Sequence, residues 1–309
     1  AITYSLTEAG VFVNATRFDE AGVRYPTTDW ANPWTWEEMM ETARKLTRAG
    51  RGEAGAFGIN LVHFTPWYYT RLWGSDLVSP EDYDSGLLRR WQTDRRTLDA
   101  CVAGLQARAD AILKDRVMPD QATAAALSGI GPLLKTGAVA MEFTGGWALW
   151  GRLPEQARFR AATNPVNGSG TTCRNCWSEP LQISAQSRYA DEAWAFVRFV
   201  VANPDAIRVQ IRRRAAIPVA RSALGPYLRE HGRQLAMTAE EQRRFFAGAI
   251  EQAESTVPDH ILVGSAAIRD IVTAELDPVW KGERTAKQAI DILIPQVNAR
   301  LERYLESLN

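Results

Sequence analysis

Two periodicities alternate along this chain. Trp36, Met39, Met40, Ala43 and Leu46 recur at three- and four-residue spacing, the repeat that gathers apolar side chains on one helix face. Thr35 with Glu38 three residues on forms a capping-box pair ahead of that run, and Arg48 and Gly50 close it. Leu98, Cys101, Val102, Leu105, Ile112 and Leu113 mark a second amphipathic helix ending near Pro119. Residues 121–135 predict a helix broken at Gly129–Pro132. Tyr189–Val201 predicts another, with Ala193, Trp194, Phe196, Val197 and Val200 inward, and a shorter one follows Pro204. From Thr238 onward the pattern is nearly all helical and ends with a helix over 285–306.

Between these lie strand-like runs. Residues 3–6 and 11–15 read as two short strands around a turn at TEAG, and 56–62, 138–143, 159–163 and 177–184 read as further strands. Strands alternating with helices predict α/β layers built on parallel strands. There is no internal repeat and no low-complexity tract.

Composition narrows the function classes. With 309 residues, 46% of them apolar, the chain can bury the cores of two lobes. Lys and Arg total 36, as do Asp and Glu, so no net field draws the protein to nucleic acid or an anionic membrane. Arg212–Arg214 and the arginines at 89, 90, 95 and 96 read as solvated faces. No apolar run reaches the length of a membrane span. The opening AITYSLTEAGVFV carries no leader pattern, so either a leader has been removed or the sequence begins within a longer protein.

Three cysteines are too few for a disulfide scaffold or, with three histidines, for a zinc site. Cys173 and Cys176 sit in the Gly/Ser/Thr-rich loop NGSGTTCRNCW, where a small loop-stiffening disulfide is expected, the alternative being reduced thiols; Cys101 reads as core. No P-loop, G-x-S-x-G, H-E-x-x-H or G-x-G-x-x-G is present, and no cofactor is implied.

Four segments, in order, carry a resemblance. They are YSLTEAGVFVNATRFDEAGV with TWEEMMETARKLT, the FGIN strand with its aromatic continuation, LLKTGAVAMEFTGGWAL, and WSEPLQISAQS–ADEAWAFVRFV with AAIPVARSAL. Together, over roughly residues 1–225, they resemble the family 1 extracellular solute-binding proteins, the maltodextrin-binding-like group. The resemblance implies an α/β type II periplasmic binding protein fold of two lobes joined by crossover strands. It implies a carbohydrate ligand held between the lobes, the membrane permease subunits of an ABC importer as partners, and a place in the periplasm or on the cell surface as a lipoprotein. It implies residues 8–162 and 216–309 as the second lobe, with 1–7 and 163–215 as crossover strands and first-lobe remnants. Relative to the family pattern the first lobe is incomplete, and a monomer is expected of the complete protein.

A sugar needs flat aromatic platforms for its C–H faces and fixed polar partners for its hydroxyls. Trp147, after Gly145 and Gly146, is the leading platform, with Gly146 allowing close backbone approach. Trp67 and Tyr68, following Pro66, are either cleft aromatics or core. Trp177 opens a strand beside the Cys loop. Glu8 is a cleft residue near a hinge or an exposed turn residue; Glu179, before Pro180, is edge-exposed or a ligand partner; Arg214 either reaches the cleft or is solvated. Trp36 and Trp194 are assigned to the core.

Two alternatives stand beside a transport binding protein. A glycoside-acting enzyme would need two facing carboxylates, for which Glu142 and Glu179 are the nominees. A truncated remnant would leave the apolar face of the helix over 189–201 bare and would tend to associate.

Overall fold

The computed structural model describes residues 2–48, 56–61, 66–149, 153–168, 173–213, 216–253 and 262–308. Its organising element is β1 (Ile2–Asn14), a continuous 13-residue strand where the sequence predicts two strands and a turn. The TEAG segment is no turn, and Gly10 shows why. A Cβ there would come within 3.1 Å of two Phe245 ring atoms and 3.0 Å from Ala162 O. The glycine marks a close approach inside a strand.

Two sheets share β1. Along Ile2–Glu8 it pairs antiparallel with β5 (Cys176–Leu181), and Ser5–Leu6 also pair with β6 (Ile217–Pro218). Along Ala9–Asn14 it pairs with β3 (Val139–Gly145) and β4 (Phe159–Ala162), and β2 (Phe57–Leu61) adds outside β3. Of the strand pairs among the described residues β2–β3 alone is parallel, so the sheet is mixed rather than parallel as predicted. Val11, Val13 and Met141 bury their side chains in one core cluster, while Phe12 and Phe159 enter another, on the opposite face.

The helices fall largely where the periodicity places them. In chain order they are α1 (Ala15–Ala21), α2 (Trp36–Leu46), α3 (Pro66–Leu72), α4 (Pro80–Ser85), α5 (Arg95–Leu113), α6 (Gln121–Ser128) and α7 (Leu133–Thr136). Then follow α8 (Ala190–Ala202), α9 (Pro204–Arg213), α10 (Leu224–His231), α11 (Ala239–Glu251), and two more, α12 (Ser265–Trp280) and α13 (Ala286–Glu306). Thr35 accepts from the Glu38 amide and Glu38 returns a bond to the Thr35 amide, the capping box read from the sequence. The interruption expected at Gly129–Pro132 separates α6 from α7. Among the described residues no helix is long and apolar enough to cross a membrane.

Buried Arg17 ties the first core together. One guanidinium nitrogen donates to Leu46 O at 2.7 Å at the end of α2, the other to Gly137 O beside β3. Trp36 is half-buried, edge-on to Trp73 with ring centres 5.1 Å apart. Trp194 departs from its expected core place. Only Val197 of α8 is buried, while Trp194, Phe196 and Phe199 are 44%, 61% and 52% exposed. The helix lies against α9 and β1, and those neighbours cover only the strip around Val197.

Candidate binding face

Alternation along β1 decides which side chains share a face. Thr7 lies opposite Trp177 and Ser5 opposite Glu179, whereas Glu8 lies opposite Cys176. Ser5, Thr7, Trp177 and Glu179 therefore project to one side of the sheet and Glu8 and Cys176 to the other. The Ser5 hydroxyl donates to Glu179 Oε2 at 2.5 Å, fixing one oxygen of a half-buried carboxylate. Thr7 Oγ1 is buried without a hydrogen-bond partner among the described residues.

Trp147 joins the first side. β3 ends at Gly145, and the chain turns through a 3-10 segment, Gly146–Leu149. The Trp147 ring folds back over Gly145, where a Cβ would fall within 2.5 Å of three ring atoms. At Gly146 a Cβ would lie 3.1 Å from Glu8 Cδ and closer still to Oε1. The two glycines thus admit an indole on one side and a carboxyl on the other. The Trp147 ring meets Trp177 edge to face, centres 4.6 Å apart at 69°, an arrangement favoured by the ring quadrupoles. Both rings are half-buried. Aromatic surface beside a hydrogen-bonded carboxylate can hold a solute with an apolar face and hydroxyl edges.

The remaining expected residues fall elsewhere. Trp67 and Tyr68 are core: 3% and 2% exposed, stacked 5.0 Å apart, with Tyr68 edge-on to Phe143. Burial pushes the Tyr68 phenol well above its ordinary value. Glu8 is neither an exposed turn residue nor on the Trp177 face; it is 1% exposed in mid-strand, and burial raises its carboxyl to about 8. Arg214 lies outside the described residues. Ser5 and Thr7 escaped the sequence reading, although their spacing of two in a strand was a usable signal.

Cys173 and Cys176 are not joined in the disulfide expected of them, because they face different surroundings. Cys173 lies in the first core with its sulfur 3.5 Å from Asn175 Oδ1. Cys176 sits across from Glu8, and burial pushes its thiol up to about 12. Cys101 is core, as expected. Glu142 and Glu179 do not form a facing pair. They lie opposite Phe12 and Ser5, seven strand positions apart, or about 23 Å at the usual rise. Paired glycosidase carboxylates stand roughly 5–9.5 Å apart.

The family model for bacterial extracellular solute-binding proteins matches residues 3–207. The chain belongs to this family. Among solved structures, an ABC substrate-binding protein from Listeria monocytogenes in complex with cycloalternan is similar at a TM-score of 0.74 and 21% identity, over 96% of this chain and 70% of that one. A solute-binding protein from Thermotoga lettingae bound with α-D-tagatose gives 0.67 and 16%, over 97% and 72%. The maltose/maltodextrin-binding domain from Bdellovibrio bacteriovorus bound to maltotriose gives 0.66 and 14%, over 99% and 72%. These are type II periplasmic binding proteins, and at such identities the likeness is one of fold. No match of significance was found among curated proteins.

Proposed function

We propose that this solute-binding protein is the extracytoplasmic receptor of a bacterial ABC importer and takes a mono- or oligosaccharide on the face formed by Trp147, Trp177, Glu179, Ser5 and Thr7. The observation that carries the reading is the half-buried Trp147–Trp177 pair, 4.6 Å between ring centres, beside a carboxylate already oriented by Ser5. Indole faces bind the C–H faces of sugars, and charge-assisted hydrogen bonds hold their hydroxyls. Family relatives bound to cycloalternan, tagatose and maltotriose support the ligand class.

Its working partners are the membrane permease subunits, and its place is outside the cytoplasmic membrane, free or lipid-anchored. Residues 8–162 with 216–309 form one lobe, while 1–7 and 163–215 supply crossover strands and part of the other. The division of β1 between two sheets near Glu8 supports that boundary. Binding without turnover is the reading favoured by the separation of Glu142 from Glu179.

Calorimetric titration with maltotriose, a cyclic α-glucan and tagatose tests the proposal. Saturable binding that Trp177→Ala weakens by roughly 30-fold or more is expected. Absence of binding to every carbohydrate tried, or release of shorter sugars from a bound oligosaccharide, overturns it.

A further inference from the structure

Behind the binding face, Glu8 occupies a position that the chemistry of ligand contact does not use. Apart from its own backbone amide, neither carboxylate oxygen has a hydrogen-bond partner among the described residues. The carboxyl faces a cavity of about 30 Å³ walled by Phe12, Leu149, Leu153, Leu235 and Phe246, room for about one water-sized group. Among the described residues, three ionisable groups face it. Tyr227 and His231 come from α10, and Cys176 comes from β5. None supplies a counter-charge held toward it. His231 Nε2 is engaged 2.5 Å from Ile211 O, and the Tyr227 phenol and Cys176 thiol are raised by burial first and by Glu8 second.

An uncharged carboxyl can remain in such a place. An ionised one requires several hydrogen-bond donors or waters, and the cavity holds too few. Something in the wall must then give way. On one side the carboxyl abuts Gly146, the first residue of the four-residue turn that carries Trp147. Where it meets the carboxyl that turn carries no side chain, and it is a single 3-10 segment whose Ala148 and Leu149 pack at the margin of the second core. Leu149 of the same turn and Leu153 just beyond it also line the cavity, from the margin of the second core, and the remaining walls belong to β1 and to α10 and α11 with their connection.

We propose that Glu8 is a proton-operated positioning residue for the Trp147 platform. When protonated, it backs Gly146 and holds the turn that presents Trp147 to Trp177. When ionised, it draws water in, displaces that turn and loosens the pair. The inference rests on the proposed role of the Trp147–Trp177 face, yet its test needs no sugar.

The ligand-free protein is titrated from pH 5.5 to 9.5, with indole near-ultraviolet circular dichroism as the readout. Wild type should show one transition with a midpoint near 8, where burial places the Glu8 carboxyl. Glu8→Gln, which mimics the protonated form, should lack it, and Trp147→Phe should lose most of its amplitude. A transition that persists in Glu8→Gln belongs to another group and overturns the proposal; so does a flat wild-type profile. An infrared difference titration of wild type gives a second route that needs no variant. Among the carbonyl bands of protonated carboxylic acids one should vanish with a midpoint near 8, above that of Glu142 near 7, and loss of every such band by pH 7 overturns the assignment. The maltotriose titration repeated at pH 6.5 and 9 should show affinity several-fold weaker at the higher pH. A spectroscopic transition in wild type with no carbohydrate bound at either pH refutes the ligand class and leaves the positioning role standing.

Discussion

Gly145→Ala is the sharpest perturbation of the binding face. The added methyl would fall within 2.5 Å of three Trp147 ring atoms, where carbon pairs prefer about 3.5–4.0 Å. The indole must move by about 1 Å or more. Gly145 has no left-handed backbone conformation, so alanine brings no backbone strain and the nearest conflicts are all with the ring. Overpacking of this kind costs about 1–3 kcal/mol. If the ring swings away instead, the edge-to-face contact with Trp177 is forfeited, about 0.5–1.5 kcal/mol. Either route gives a loss of about 1–2 kcal/mol in urea unfolding, with an altered indole circular dichroism signal. A double-mutant cycle with Trp147→Ala isolates the cause. With the ring removed, Gly145→Ala should cost less than about 0.5 kcal/mol. If it costs as much in that background, or leaves the indole signal unchanged, the ring does not rest on Gly145 and the argument for the platform fails.

Four further outcomes are expected. Trp177→Ala should weaken carbohydrate binding by about 2 kcal/mol or more, roughly 30-fold, as buried aromatic anchors do, measured by calorimetry. Arg17→Ala should cost about 3 kcal/mol of stability in denaturant unfolding, because it orphans the Leu46 and Gly137 carbonyls at once. Glu142 is raised from 4.5 to about 7 by burial. A raised folded-state value means its stabilising contribution is complete below pH 4.5 and is lost as pH rises to about 7. Glu142→Gln should remove that part of the pH slope, roughly 2–3 kcal/mol at most, in unfolding curves collected from pH 4 to 8. Replacing Phe196 and Phe199 together by Gln should shift concentration-dependent association toward monomer in light scattering, since both rings stand in solvent.

Much of the helical scaffold was legible because its signals are local. The Thr35–Glu38 box, the apolar stripe of α5 and the break before α7 each depend on residues within a few positions of one another. The strand β1 was not, because Glu-Ala-Gly reads as a turn until the Phe245 ring, 235 residues on from Gly10, is known to close on that glycine. The error carried into the site. In one continuous strand, a single step of parity moves the binding face from Glu8 to Thr7 and Ser5. Trp147 and Trp177 were found by type and by the glycines nearby, but their contact joins two sheets and leaves no mark in spacing. Trp67 and Tyr68 show the reverse failure: a run of aromatics gives no sign of which rings end in the core. Trp194 was placed inward by a periodic face that α9 and β1 do not cover.

The sharing of β1 also bears on how the molecule is made. Val13 pairs with Met141 and Ser5 with Pro218, so this strand leaves the ribosome long before its neighbours. At about 5–20 residues per second the wait is roughly 6 to 40 s. Until β3 emerges, Val11, Phe12 and Val13 have no partner strand to join. Neither sheet can be completed without β1, so neither core closes while the strand is unpaired, and such distant pairing makes for slow folding. Export suits this order of events: a chain still unable to fold as it emerges is one that a secretion channel can thread.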